Sequence, residues 1–172
     1  MSHDGGESFQ EAVAGIIDTD GLFITPLAMD QKDPDVLWTG GSRPWRTTNG
    51  AQLWELAGPD LAGPDRISAI AVAPSDSNVV YLGFNNGYVA RTTNGLDPSP
   101  VWTVSANGLP GGWVSSVAVD PGDTDTAYCT ISTYGVPHVL RTTDGGTSWH
   151  SIDGIGASGV PDIPVHWIAV RP

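Results

Sequence analysis

The sequence predicts an all-β protein, a β-propeller of four-stranded antiparallel blades, and three observations predict it. The first is a repeated turn. Arg141-Thr142-Thr143-Asp144-Gly145-Gly146-Thr147-Ser148-Trp149 has counterparts at Arg91-Thr92-Thr93-Asn94-Gly95, at Arg46-Thr47-Thr48-Asn49-Gly50 followed by Trp54, and, without the arginine, at Ser2-His3-Asp4-Gly5-Gly6-Glu7-Ser8-Phe9. The anchoring Asp or Asn stands at 4, 49, 94 and 144, intervals of 45, 45 and 50 residues, a period of repeat architectures and not of a single compact domain. The second is a motif in step with the first: Val119-Asp120-Pro121 through Tyr128 lines up with Val72-Ala73-Pro74 through Tyr81 and with Met29-Asp30 through Trp38, and a further copy begins at Val170. The third is that each unit holds four short β-type runs between turn signals, with no helical periodicity, which is the make-up of a propeller blade.

Taken in order, residues 1–20 supply the outer strand and turn of a first blade, and residues 21–60 form a second. Its runs are Phe23 to Met29, Val36 to Thr39, Pro44 to Thr48 and Leu53 to Ala57. The third blade, 61–107, has Ile67 to Val72, Val79 to Phe84, Tyr88 to Thr93 and Val101 to Ser105. The fourth, 108–156, has Trp113 to Val119, Thr126 to Ser132, His138 to Thr143 and Ser148 to Ile152, and 157–172 is the inner strand of a fifth. The first run of a blade is apolar at nearly every position, as a strand packed between two neighbouring blades requires; the last is shorter and more polar, as an edge strand should be. Propellers close at about 4 to 8 blades, so three full blades with a partial one at each end would leave apolar faces open. The chain is therefore expected to be an arc, completed by remaining blades of the same propeller or by self-association. Its termini resemble a gene-model boundary.

Composition narrows the function. Gly 22 and Pro 14 make up about a fifth of the chain, set at intervals between apolar runs, and read as turns. Seven Lys plus Arg against 19 Asp plus Glu, net charge −12, argue against nucleic acid, whose phosphates need cationic partners. The acidity is accounted for by solubility and by Asp residues that cap turns. Cys129 has no partner for a disulfide or a metal and reads as a small apolar strand residue. No apolar run reaches the ~18 residues of a membrane span, and no signal peptide follows Met1. No cofactor is expected. Asp18-x-Asp20 and Asp123-x-Asp125 do not fit a calcium loop, so no metal is expected either.

The repeated turn, Ser/Thr-x-Asp-Gly-Gly-x-x-Trp/Phe, resembles the Asp-box, or bacterial neuraminidase repeat, over nearly the whole chain. The copies at Ser2 to Phe9 and Thr142 to Trp149 match fully; Thr47 to Trp54 carries Asn49 and Ala51, and the copy at Thr92 inserts Leu96-Asp97-Pro98-Ser99-Pro100 before Trp102. Those two hairpins are expected to be looser or differently shaped. Asp4, Asn49, Asn94 and Asp144 should accept bonds from backbone N–H groups across the turn, the glycines supply positive φ, and Phe9, Trp54, Trp102 and Trp149 fold beneath it. The resemblance places these boxes on the blade periphery, away from any ligand, and so assigns them a structural role.

In a propeller, the blade-to-blade loops and the turns between second and third strands share the usual binding face. On this chain that face carries Arg43, Arg66, Trp113, Tyr134 and His138, side chains able to stack on and hydrogen-bond a glycan or a protein ligand. Trp113 opens a buried strand and reads equally well as core. Glycoside hydrolysis needs two carboxylates at a set separation; the rim candidates are Asp65 and Asp162, on loops two blades apart, and both read equally as turn caps. The resemblance to sialidases implies an arginine cluster and an Arg-Ile-Pro motif, but Arg66-Ile67-Ser68 lacks the proline, and Arg46, Arg91 and Arg141 recur at one blade position as scaffold. The xyloglucanase-type branch resembles these repeats more closely; it implies two seven-bladed propellers with one catalytic Asp from each, and neither is matched here. Sortilin-like propellers, which bind peptides, share the repeats. The family resemblance implies a non-catalytic binding or scaffold segment of a larger exported, extracellular or periplasmic bacterial-type protein, with a glycoside hydrolase fragment and a sortilin-like module as alternatives.

Overall fold

The fold is that of a computed structural model, which describes every residue except 3, 19, 62, 155–158 and 172. The described strands form three four-stranded sheets. Sheet A comprises β1 (Leu27–Met29), β2 (Leu37–Gly40), β3 (Pro44–Thr47) and β4 (Glu55–Leu56). Sheet B comprises β5 (Ile67–Ala73), β6 (Asp76–Phe84), β7 (Val89–Thr92) and β8 (Trp102–Ser105), and sheet C comprises β9 (Val114–Val119), β10 (Ala127–Ile131), β11 (Val139–Thr142) and β12 (His150–Ser151). Each sheet is an antiparallel meander whose strands lie in chain order, so each has the make-up of one blade.

Two apolar layers hold the blades together. Between sheets A and B, Val36, Trp38 and Ala57 pack with Ile67, Val80, Leu82 and Phe84. Between B and C, Ala69, Val79, Tyr81 and Val89 pack with Val114, Cys129, Leu140 and Trp149. Close approach of the inner strands needs glycine in the preceding blade: a Cβ on Gly40 would strike Ile67 Cδ1 at 2.6 Å, and one on Gly83 would strike Val114 Cβ at 2.9 Å. Ser68 Oγ crosses the second seam to donate to Val114 O at 2.6 Å, and Ser115 Oγ does the same to Val165 O at 2.6 Å. Burial pushes the Cys129 thiol up from its ordinary range, consistent with an inert strand residue.

A second device ties the blades. Trp38 lies opposite Arg46, Tyr81 opposite Arg91 and Tyr128 opposite Arg141 across the two middle strands, with each guanidinium 5.8, 5.4 and 5.7 Å from its ring centre. Arg46 donates to Gly95 O and to Asp97 O of the next blade; Arg91 donates to Thr124 O and Asp125 Oδ1 of the next blade at 3.4 and 2.5 Å. Desolvation beside these groups raises the Tyr81 hydroxyl to about 12.

The box turns follow the expected bonding. Thr142 Oγ1 donates to Asp144 Oδ1 at 2.8 Å, Ser148 N and Oγ donate to the same carboxylate at 2.9 and 2.6 Å, and Gly146 N donates to Thr142 Oγ1 at 3.0 Å. These donors, the Ser148 hydroxyl first, hold Asp144 down at about 2. Asp4 accepts from Ser8 and Ser2 in the same way, and its carboxyl is likewise held well below the usual range. The copy at Thr47 is not loosened: Leu53 N donates to Asn49 Oδ1 at 3.0 Å and Ala51 N to Thr47 Oγ1 at 3.2 Å, with Ala51 tolerating a φ of 63° in place of glycine. The copy at Thr92 is reshaped by its insertion, so that Val101 N closes on Asn94 Oδ1 at 2.9 Å. The three turns at Asn49, Asn94 and Asp144 also bond back to their own blade, just before its second strand or at the start of it, through Gly50 N to Asp35 O, Gly95 N to Asn78 O and Gly145 N to Asp125 O.

Four expectations need adjustment. Phe23 and Ile24 lie outside β1 and are exposed, and β1 is open where β5 and β9 are mostly covered, because no sheet precedes sheet A among the described residues. For the same reason Phe9, expected beneath its turn, is 78% exposed while Trp149 and Trp54 are buried. β6 begins at Asp76, pairing with Ala73 past a register shift, instead of at Val79. The inner strand expected over 157–172 lies partly outside the described residues, and the described part is not a strand, although Val165 O accepts from Ser115 Oγ beside β9.

Candidate functional site

The loops that connect blades and the turns between second and third strands meet on one side of the arc. Backbone bonds join them: Ile67 N donates to Gly41 O, Asn85 N to Arg66 O, and Ser132 N to Trp113 O. Most of the polar side chains on this side bind one loop to another. Arg66 pairs with Asp20 at 3.5 Å and donates to Pro64 O and Asp65 O, so its guanidinium is held by its own surroundings. Arg43 lies over the Trp45 ring at 5.8 Å. His138 is buried at 2%, with Nδ1 at 3.1 Å from Ile131 O and Nε2 at 3.1 Å from Asp162 Oδ1. Asp18 accepts from Ser42 Oγ at 3.0 Å; desolvation raises its carboxyl, but the bonds from Asp20 N and Ser42 outweigh this and hold it low.

The two carboxylates named as hydrolase candidates are both engaged, and by different loops. Asp65 accepts from Asn86 Nδ2 at 2.8 Å. Asp162 accepts from Gly135 N at 2.7 Å and faces His138. No hydrogen bond brings them together among the described residues. Each carboxylate accepts from a neighbouring turn and so straps two loops together.

Two aromatic side chains of this rim are exposed. Trp113 N donates to Thr133 Oγ1 at 3.1 Å, which sets the start of β9 against the turn carrying Tyr134. Trp113 is 39% exposed and Tyr134 67% exposed. Of the five rim residues read from the sequence, these two face solvent, while Arg66 and His138 brace the rim. Sequence reading overlooked Asp153, which accepts from His138 N and Val139 N at 2.7 and 2.6 Å, and nothing local marks it. It also overlooked the Ser68 and Ser115 stitches; their shared repeat position, directly after Ile67 and Val114, was the available signal. Among the described residues no cluster of His, Cys, Asp and Glu has the geometry to hold a metal ion, and no helix is long and apolar enough to cross a membrane.

Three consecutive meander blades, with boxes at one edge and a looped rim at the other, define a segment of a β-propeller. Solved structures share this arrangement. A GH74 xyloglucanase from Xanthomonas campestris superposes with a TM-score of 0.60 at 20% identity, over 83% of this chain and 25% of that one. A GH74 enzyme from Niastella koreensis gives 0.56 at 20% identity, over 73% of this chain and 22% of its own. YCF48 bound to D1 peptide gives 0.55 at 14% identity, over 81% and 45%. The chain thus spans about a fifth to a quarter of the GH74 chains it matches, and at these identities the likeness establishes the fold. No protein-family profile and no curated protein matches the sequence.

Proposed function

We propose that this chain is a non-catalytic Asp-box propeller segment, a glycan- or protein-binding scaffold module of a larger exported protein, acting outside the cytoplasm. The observation that carries this reading is the division of labour on the rim: Asp65 and Asp162 are spent on neighbouring turns, whereas Trp113 and Tyr134 stay open at one corner. Rigid aromatic side chains supply contact area at small entropic cost and suit either a sugar ring or a peptide. YCF48, a propeller of similar fold, is solved with a peptide bound, which favours the protein-ligand form of the proposal and also fits the sortilin-like alternative.

Screening the chain against glycan and peptide panels tests the proposal. Trp113→Ala with Tyr134→Ala should weaken whichever ligand is found by roughly tenfold or more without changing the unfolding midpoint. Binding that survives the double substitution defeats it. The GH74 likeness favours a second reading, a piece of a glycoside hydrolase; that reading requires turnover of a glycan and its loss in Asp65→Asn or Asp162→Asn.

A further inference from the structure

The chain holds four Asn-Gly pairs, at 49–50, 86–87, 94–95 and 107–108. The asparagine of such a pair is open to attack by the backbone nitrogen of the glycine after it, because glycine has no side chain to hinder the approach. That attack needs a free N–H. Three of the four are tied: Gly50 N donates to Asp35 O at 2.9 Å, Gly87 N to Phe84 O at 3.1 Å and Gly95 N to Asn78 O at 2.8 Å. Gly108 N donates no hydrogen bond among the described residues, and Gly108 is the exposed glycine of the four. The asparagine side chains divide in the same way. Asn49 and Asn94 accept the bonds that close their box turns, and Asn86 is held by Tyr88 N and Asp65. Asn107 is exposed, and among the described residues its amide makes one hydrogen bond, from Nδ2 to Thr147 O at 3.2 Å.

The seam fixes the glycine of this pair but not the asparagine. Gly108 has a φ of 78° in a turn closed by Leu109 N on Ala106 O at 3.1 Å, and a Cβ on it would run into Trp149 O. Ala14-Gly15 holds the equivalent place against Trp54: Trp54 N donates to Ala14 O at 2.8 Å as Trp149 N donates to Asn107 O at 3.0 Å, and a Cβ on Gly15 would run into Trp54 O. Alanine therefore serves where asparagine stands in the other copy. What the Asn107 amide adds is a tie between blades, from the segment after β8 to the box turn of sheet C.

We propose that Asn107 is a self-modification site, at which the chain deamidates by attack of Gly108 N and so cuts its own tie to the next blade. The Gly108 nitrogen forms a bond to Asn107 Cγ, the Cγ–Nδ2 bond breaks, and the proton lost from Gly108 N departs with the amide nitrogen as ammonia. Water, the co-reactant, then opens the succinimide ring. Addition at Cγ gives aspartate, and addition at the main-chain carbonyl carbon gives isoaspartate. Neither product keeps the amide that donates to Thr147 O, and each places a carboxylate beside that carbonyl. Isoaspartate also routes the main chain through Cγ, which displaces the carbonyl bound by Trp149 N, and Trp149 is buried at 1% in the seam between sheets B and C.

Incubating the 172-residue chain in mildly alkaline buffer and sampling it by peptide mapping tests this. Position 107 should convert first, about fivefold or more faster than 49, 86 or 94, where the attacking N–H must first give up a hydrogen bond. Electron-transfer fragmentation should show both isoaspartate and aspartate there. The converted protein, separated on an anion exchanger by its added negative charge, should unfold at a lower denaturant midpoint than the unconverted one, and Asn107→Ala should remove the early product. The proposal is overturned if another asparagine converts as fast, if 107 stays intact while a free peptide of residues 104–110 converts, or if the converted protein keeps the original midpoint.

Discussion

Arg91 and Arg141 stand at the same position of consecutive blades, each over a tyrosine ring, yet they lead different lives. The Arg91 side chain is 18% exposed and bonds the loop of sheet C; Arg141 is exposed, lies over Tyr128, and makes no side-chain hydrogen bond to another blade among the described residues. Arg46, at the first seam, is buried to 3% against the carbonyls of Gly95 and Asp97. A repeated residue therefore stabilises the fold only in proportion to what the next blade presents to it. The aromatics divide too: Trp149, covered by sheet B, is core, while Trp113, at the rim end of β9, is 39% exposed.

The sharpest way to break this comparison is to truncate both tryptophans. Trp149→Ala should cost about 3 to 5 kcal/mol of unfolding free energy, whereas Trp113→Ala should stay within roughly 0.5 kcal/mol; equal losses in denaturant titrations would show that the rim is as tightly packed as the seam. The arginines come next. Arg46→Ala leaves buried carbonyl acceptors unpaired and should cost about 2 kcal/mol, while Arg141→Ala should be near neutral.

The smallest effect separates the Asp boxes from the Asn boxes. The bonds from Ser148 and Thr142 hold the Asp144 carboxyl at about 2 in the folded chain, below the ordinary aspartate range. A lowered folded-state value means stability that is fully present above the unfolded value and is lost as pH falls through the folded one. Thermal melts should therefore decline between about pH 4 and pH 2, and Asp144→Asn, which imitates Asn49 and Asn94, should flatten part of that slope. An unchanged slope would mean that the box carboxylate is not linked to folding.

Much of the fold was legible because its rules are local. A box turn needs a hydroxyl, an Asx side chain and residues tolerant of positive φ within a few positions, so its four copies could be counted directly, and the blades followed. Even where the local rule bends, at Ala51, the hydrogen bonds persist. The rim was less legible because its residues are defined by partners distant in the chain. His138 lies against Ile131 O and Asp162, and Asp162 accepts from Gly135 N, partnerships that no local pattern of the sequence announces.

Periodicity and turn chemistry thus settle, without any coordinates, that this chain is a run of four-stranded blades with boxes between the third and fourth strands. Those properties depend on neighbours within one hairpin. Which arginines are anchors, which tryptophan is core, and which carboxylates are already committed depend on contacts between blades, such as Arg91 with Asp125 across 34 residues of chain. Such pairings exist only once the sheets have stacked, because burial and desolvation are properties of the assembled seam and not of the residues that enter it.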